Sequence, residues 1–121
     1  MGLLIGLRIL VVEDEALIAF SLADTIARAG ATVIGPVSTV PKAANLIGSS
    51  AIDAAVLDFY LEKETASPIA ELLLGGNTPF LFYTGAPVGL EQSYPGVPIL
   101  TKSTRPDMLV AEIGALLGRR P

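Results

Sequence analysis

The sequence predicts an α/β fold: a doubly wound, five-stranded parallel sheet of order 2-1-3-4-5, built as (βα)5 with a shortened or irregular fourth helix. Three observations carry this. Short continuous apolar runs recur along the chain, with the length of strands buried on both faces. Stretches with helical apolar spacing and helix start and stop signals lie between them. Hydrophobic residues make up 51% of the 121 positions, and the mean hydropathy is +0.61, enough to cover both faces of a sheet.

The first strand is expected at about Arg8–Glu13, where Ile9–Leu10–Val11–Val12 runs into two acids. A helix over about Glu15–Ala29 follows, with Ile18, Leu22, Ile26 and Ala29 as its apolar stripe and Gly30 as its stop. Ala31–Gly35 reads as the second strand, closed by Gly35–Pro36. Ser38 or Thr39 then caps a helix that tolerates Pro41 in its first turn and ends near Ile47. The third strand is the run Ala54–Ala55–Val56–Leu57, ending at Asp58. The third helix is expected to start with Ser67 as N-cap before Pro68 and to stop at Gly75–Gly76. The fourth strand ends at Tyr83. Residues 85–96 hold three glycines besides two prolines, Pro87 and Pro95, with room for one or two helical turns. A fifth strand at about Pro98–Thr101 leads to a helix expected to begin at Thr104, with Asp107 in a capping-box-like pair and Leu109, Ile113, Leu116 and Leu117 buried. No linker, repeat or low-complexity tract interrupts residues 1–121, which read as one domain with a lead-in over 1–7 and a tail over 119–121.

Composition excludes several classes of function. The formal net charge is −4 and the pI about 4.6, which argues against a basic nucleic-acid-binding face. Absence of cysteine rules out disulfides, thiol catalysis and cysteine zinc sites, and absence of histidine rules out an imidazole base, ligand or phosphoryl donor. The apolar stretch Met1–Leu7 lacks the basic flank and cleavage site of an export signal and is too short for a membrane span, so a cytoplasmic protein is expected.

Right-handed parallel crossovers bring all strand C-termini to one edge, where ligands of such sheets bind. In the order 2-1-3-4-5, Glu13–Asp14 and Asp58 end adjacent strands about 4.8 Å apart. Thr84 and Lys102 end the next two. Each pair of carboxylates about 4 Å apart repels by on the order of 4 kcal/mol at an effective dielectric near 20. A small divalent cation with oxygen ligands relieves this, so Mg²⁺ is inferred, with Mn²⁺ as a substitute. With Lys102 added, three negative charges are balanced, and the site suits transfer of a phosphoryl group to a carboxylate. Thr84 is placed to donate its hydroxyl to a phosphoryl oxygen. Glu62, Lys63 and Glu64 read as a solvated loop, Tyr83 and Tyr94 as packing residues, and Arg119–Arg120 as a solvated tail.

The segments Val11–Val12–Glu13–Asp14–Glu15, Val56–Leu57–Asp58, Tyr83–Thr84–Gly85 and Leu100–Thr101–Lys102 together resemble the response-regulator receiver domain of bacterial two-component signalling. The resemblance covers nearly the whole chain, in order. It implies that Asp58 is the phosphoacceptor, that Glu13, Asp14, Asp58 and the backbone carbonyl of Tyr60 bind Mg²⁺, and that Thr84 and Lys102 are the switch pair. It also implies a histidine kinase or histidine phosphotransfer domain as partner, no enzymatic activity beyond the protein's own phosphorylation and dephosphorylation, and room for a homodimer. Direct contact with nucleic acid or membrane is not expected. Ala16, Phe20 and Ala27 are the candidate docking residues on the first helix. Two alternatives stand beside this reading: a docking module that acts without phosphorylation, and an aspartyl-phosphate phosphohydrolase. The latter commonly has a second acid two residues after the first, where this chain has Tyr60.

Three departures from the family pattern are visible. Ser103 follows the lysine where proline is usual, Ile99 stands where an aromatic residue is often found, and the fourth helix is eroded. A trans Lys102–Ser103 peptide is therefore expected, since cis costs about 2.5–4 kcal/mol before a non-proline residue. Lys102 is expected to lie further from Asp58 as a result, and coupling from the site to the distal face to be weak.

Overall fold

The computed structural model describes residues 2–121. Ten elements alternate along it: β1 (Arg8–Val12), α1 (Ala16–Arg28), β2 (Thr32–Val37), α2 (Val40–Ser49), β3 (Ala54–Leu57), α3 (Ser67–Gly75), β4 (Phe80–Thr84), α4 (Leu90–Ser93), β5 (Ile99–Thr101) and α5 (Pro106–Leu116). The strands form one sheet in the order β2-β1-β3-β4-β5, and every adjacent pair is parallel.

Alternation along the strands divides the core in two. Leu10, Val12, Ala55, Leu57, Phe80 and Phe82 face α2 and α3. Ile9, Val11, Ala54, Val56 and Leu81 face α1 and α5. All four residues of β3 are buried, which is why that stretch is apolar without a break. On α1, Leu22, Ile26 and Ala29 are buried as the spacing requires, and Ile18 is half-buried. Gly30 ends the helix at φ +102°, a conformation that favours glycine.

The register sets the site. Val12 lies opposite Leu57 and Leu57 opposite Phe82, so Glu13 and Asp58 leave the sheet side by side, while β4 runs two residues further to Thr84. The Asp58 N–H donates to the Val12 carbonyl at 2.9 Å.

Several local expectations are corrected. Strand β2 does not close at Gly35–Pro36 but runs to Val37, with an irregular register against β1. The extension has a purpose, because the Val37 carbonyl accepts the Glu13 N–H at 2.9 Å. Ser67 is the first residue of α3 rather than its N-cap; Ala66 holds the cap position without a side-chain bond. Helix α5 starts at Pro106 with Arg105 at the cap, and Asp107 pairs with Arg105 instead of Thr104. In both helices a proline suits the first turn, where its missing N–H is not needed, and it moves the start away from the hydroxyl. Thr39 does cap α2, accepting the Lys42 N–H at 3.3 Å.

Residues 3–7, ahead of β1, are folded into the body of the protein; Met1 lies outside the described residues. Leu4 is fully buried, and its N–H donates to the Ala29 carbonyl at 2.9 Å. Arg119, expected to be solvated, donates to the Leu3 carbonyl at 3.2 Å and the Ile5 carbonyl at 2.6 Å. Helix α4 is the single turn that its glycines and prolines allow. Tyr94, just after it, is buried and packs its ring against Phe82 and Phe59 with centroids 5.2 and 6.0 Å apart.

Candidate functional site

Glu13 and Asp14 leave β1, Asp58 leaves β3, and one carboxylate oxygen from each lies within 4.8 Å of the others. Glu13 is 2% exposed and Asp58 4%, while Asp14 is half-buried. Lys102 reaches over from the end of β5. Its Nζ donates to Asp58 Oδ2 at 2.9 Å and to Glu13 Oε2 at 3.2 Å. It also lies 2.9 Å from Glu13 Oε1, but Oε1 has no partner in hydrogen-bonding geometry and is buried. The Glu15 N–H, in the turn before α1, donates to Oε2 at 3.1 Å. Thr84 ends β4 almost fully buried, and its Oγ1 accepts the Ala86 N–H at 3.2 Å. Tyr60 stands two residues after Asp58 and forms an isolated antiparallel bridge with Thr65.

The electrostatics follow from burial. Desolvation raises the Glu13 carboxyl from 4.5 to about 7; the hydrogen bonds from Lys102 and Glu15 work against this, and the nearby Asp58 adds to it. Burial alone would push Lys102 down, but its hydrogen bonds to Asp58 and Glu13 outweigh that and raise it. The lysine is therefore a firmly charged cation, while Glu13 is held uneasily in its charged form. One ammonium does not neutralise three carboxylates, and an orphaned carboxylate oxygen remains inside the cluster. These donors fit a hard divalent cation.

The lysine corrects one expectation and meets another. Among the described residues the one cis peptide is Gly35–Pro36, so Lys102–Ser103 is trans. Yet Lys102 is not withdrawn, because its ammonium sits at hydrogen-bond distance from Asp58. The unsatisfied charge of the acids draws the flexible side chain in, and the turn after β5 is held by other means. The Thr104 N–H donates to the Thr101 carbonyl at 3.0 Å, the Thr101 and Ser103 hydroxyls meet at 2.8 Å, and the Tyr83 hydroxyl donates to the Lys102 carbonyl at 3.3 Å.

Two contacts near the site have little or no local signal in the sequence. Tyr83, expected as a packing residue, also bonds the Lys102 carbonyl; strand alternation, which puts it on the same face as Leu100, is the available signal. Glu64 accepts the Val40 N–H at 3.0 Å and so ties the loop after Asp58 to the start of α2; nothing local in the sequence marks that pair. Residues Asp14, Ser38, Thr39, Leu61, Glu62 and Lys63 line a cleft of about 250 Å³ beside this tie.

The sheet order, the single edge that gathers three acids, a hydroxyl and a lysine, and the covering helices together define a receiver-type α/β protein. The chain is similar along its length to a response regulator receiver protein from Sinorhizobium medicae WSM419, with 26% identity, 95% of this chain and 97% of that one covered, and a TM-score of 0.85. It is similar to SdrG from Sphingomonas melonis Fr1, with 36% identity, 97% and 99% covered, and a TM-score of 0.81. The response regulator PhyR from Brucella abortus matches at 27% identity and a TM-score of 0.79 over 91% of this chain, which spans 47% of PhyR. No protein-family model and no curated protein matches the sequence. The chain belongs to the response-regulator receiver family. No helix among the described residues is long and apolar enough to cross a membrane.

Proposed function

We propose that the chain is a phosphoacceptor receiver of a two-component phosphorelay, with Asp58 as the acceptor. The observation that carries this reading is the buried Asp58 carboxylate bonded to Lys102 beside Glu13 and Asp14. Oδ2 is taken by the lysine, so the other carboxylate oxygen attacks phosphorus. The new O–P bond forms as the P–N bond to a donor phosphohistidine breaks, and the donor imidazole leaves. Lys102 neutralises charge on the transferring group, and the Thr84 hydroxyl turns from its local bond with the Ala86 N–H toward a phosphoryl oxygen. Glu13, Asp14, Asp58 and the Tyr60 carbonyl would hold Mg²⁺, or Mn²⁺ in its place. When bound, the cation supplies charge neutralisation at the phosphoryl oxygens. Outside this reaction the protein needs no catalytic activity of its own.

The donor is a histidine kinase or histidine phosphotransfer domain. Ala16, Phe20 and Ala27 are exposed on α1, the first two beside Glu13 and Asp14, and such small and apolar groups support docking of a helical partner there. Phe20→Asp is expected to slow transfer from the kinase and to leave labelling by a small donor unchanged; equal slowing of both would place the effect in the fold.

The decisive experiment for the reading as a whole uses acetyl phosphate with Mg²⁺. Wild type is expected to gain one base-labile phosphate and Asp58→Asn none. Label retained in Asp58→Asn overturns the assignment, rapid turnover without label points to a phosphohydrolase, and complete inertness points to a docking module.

A further inference from the structure

We infer that Tyr83 is a positioning residue for Lys102, its hydroxyl holding the turn from which the lysine is aimed at Asp58 and Glu13. The inference rests on the phosphoacceptor reading for its catalytic consequence, but not for its geometry. Lys102 emerges from β5 and reaches carboxylates after β3 and β1, two and three strands away. At about 4.8 Å per strand, this leaves a flexible side chain little slack. A small displacement of its backbone would therefore withdraw the ammonium. No proline fixes the turn, and the Lys102–Ser103 peptide is an ordinary trans bond.

The hydroxyl of Tyr83 is built for that task. Strand pairing sets Tyr83 opposite Leu100, two residues before Lys102, and both pack on the α1/α5 face. The ring thus runs along this face toward the turn, and its hydroxyl donates to the Lys102 carbonyl from a residue 19 positions away. Tyr83 and Lys102 line one cleft of about 280 Å³ with Ile18, Leu22, Thr104 and Leu109. Burial raises the phenol above its usual value, so it stays protonated and remains a donor. The hydroxyl, unlike the ring, makes a specific bond to the backbone that carries Lys102.

Tyr83→Phe removes that hydroxyl and keeps the ring. The first readout needs no phosphorylation: side-chain NMR of Lys102 is expected to show a distinct, ordered ammonium in wild type. In Tyr83→Phe the signal should move toward those of the exposed Lys42 and Lys63. The second is labelling by acetyl phosphate, expected to slow by about three- to tenfold, the range of one hydrogen bond. In a Lys102→Ala background the same change should slow labelling no further, because a residue acting through the lysine loses its effect when the lysine is gone. An unchanged Lys102 spectrum, or equal slowing in both backgrounds, overturns the inference. Wild type that takes no label would sink the phosphoacceptor reading instead, while the lysine spectrum still decides the role of Tyr83.

Discussion

On the α1/α5 face of the sheet the buried core is aliphatic and closed at its base; on the α2/α3 face an aromatic cluster joins the aliphatic residues, beside the single turn of α4. The first is packed by Ile9, Val11, Val56, Leu81, Ile26, Leu109 and Ile113. It is sealed by Leu4 and by Arg119, which ties the two ends of the described chain together. The second holds Phe80, Phe82, Phe59 and Tyr94 in edge-on or tilted contacts with centroids between 5.2 and 6.0 Å. Its fourth helix is one turn long. Asp58 stands between them, with Lys102 reaching it from β5 and Phe59 following it into the aromatic cluster. The difference singles out one segment. Helices α2 and α3 hold most of the second face, but its aromatic cluster runs under the one-turn α4, and that segment is expected to be the part that yields when charge at Asp58 changes. Ile99 also packs on the aromatic face and offers no ring to follow Thr84.

The largest expected effects are on stability, and they test whether both faces are true core. Phe82→Ala should cost about 3–5 kcal/mol and Leu4→Ala about 2–5 kcal/mol in urea unfolding, as deletions from packed interiors do. A cost below about 1 kcal/mol for Leu4→Ala would mean that the first residues are a loose lead-in after all.

Next comes pH. The folded state holds the Glu13 proton up to about pH 7, while the unfolded chain releases it near 4.5. Between those values the folded protein binds more protons than the unfolded one, so metal-free stability falls as pH rises, by at most on the order of 3 kcal/mol. Mg²⁺ needs the deprotonated carboxylate, so its stabilising effect should grow over the same window and be lost in Asp14→Asn. Glu13→Gln should flatten the metal-free slope. Thermal melts from pH 4.5 to 8, with and without Mg²⁺, read all of this; a metal-free stability that rises across the window would contradict it.

The smallest expected effect sharpens the comparison on the aromatic side. The Tyr94 hydroxyl donates to Ser67 Oγ at 3.1 Å, tying the segment after α4 to the start of α3. Tyr94→Phe should cost only about 0.5–1.5 kcal/mol. It should nevertheless speed amide exchange at 85–93 while leaving the α1/α5 face unaffected. Uniform acceleration across the protein would mean that the two faces are not separable.

Much of this was legible in the sequence, for physical reasons. A parallel strand must be apolar on both faces, so Ala54–Leu57 announced itself, and the polar group that ends such a strand cannot hide, so Glu13, Asp14, Asp58, Thr84 and Lys102 could be placed on one edge. Boundaries were less legible where two local signals competed: Pro36 marked a stop that pairing with β1 overrode, and Pro68 and Pro106 displaced the hydroxyl caps beside them. Contacts that exist only after folding left no local trace. Glu64 meets Val40 across 24 residues and Arg119 meets Ile5 across 114. A trans peptide after Lys102 says little about where its ammonium lies, because neighbouring carboxylates, brought together only by the fold, draw the flexible side chain in.

The measurement that tests the account most directly is the amide-shift map of the protein with Mg²⁺ and beryllofluoride, which mimics the phosphoryl group on Asp58. Saturable binding is expected, abolished by Asp58→Asn. The changes should concentrate at Asp14, Asp58, Phe59, Thr84, Lys102 and onward into 85–94, with α5 nearly silent. Absence of binding, or changes along α5 as large as those at Thr84, would contradict it.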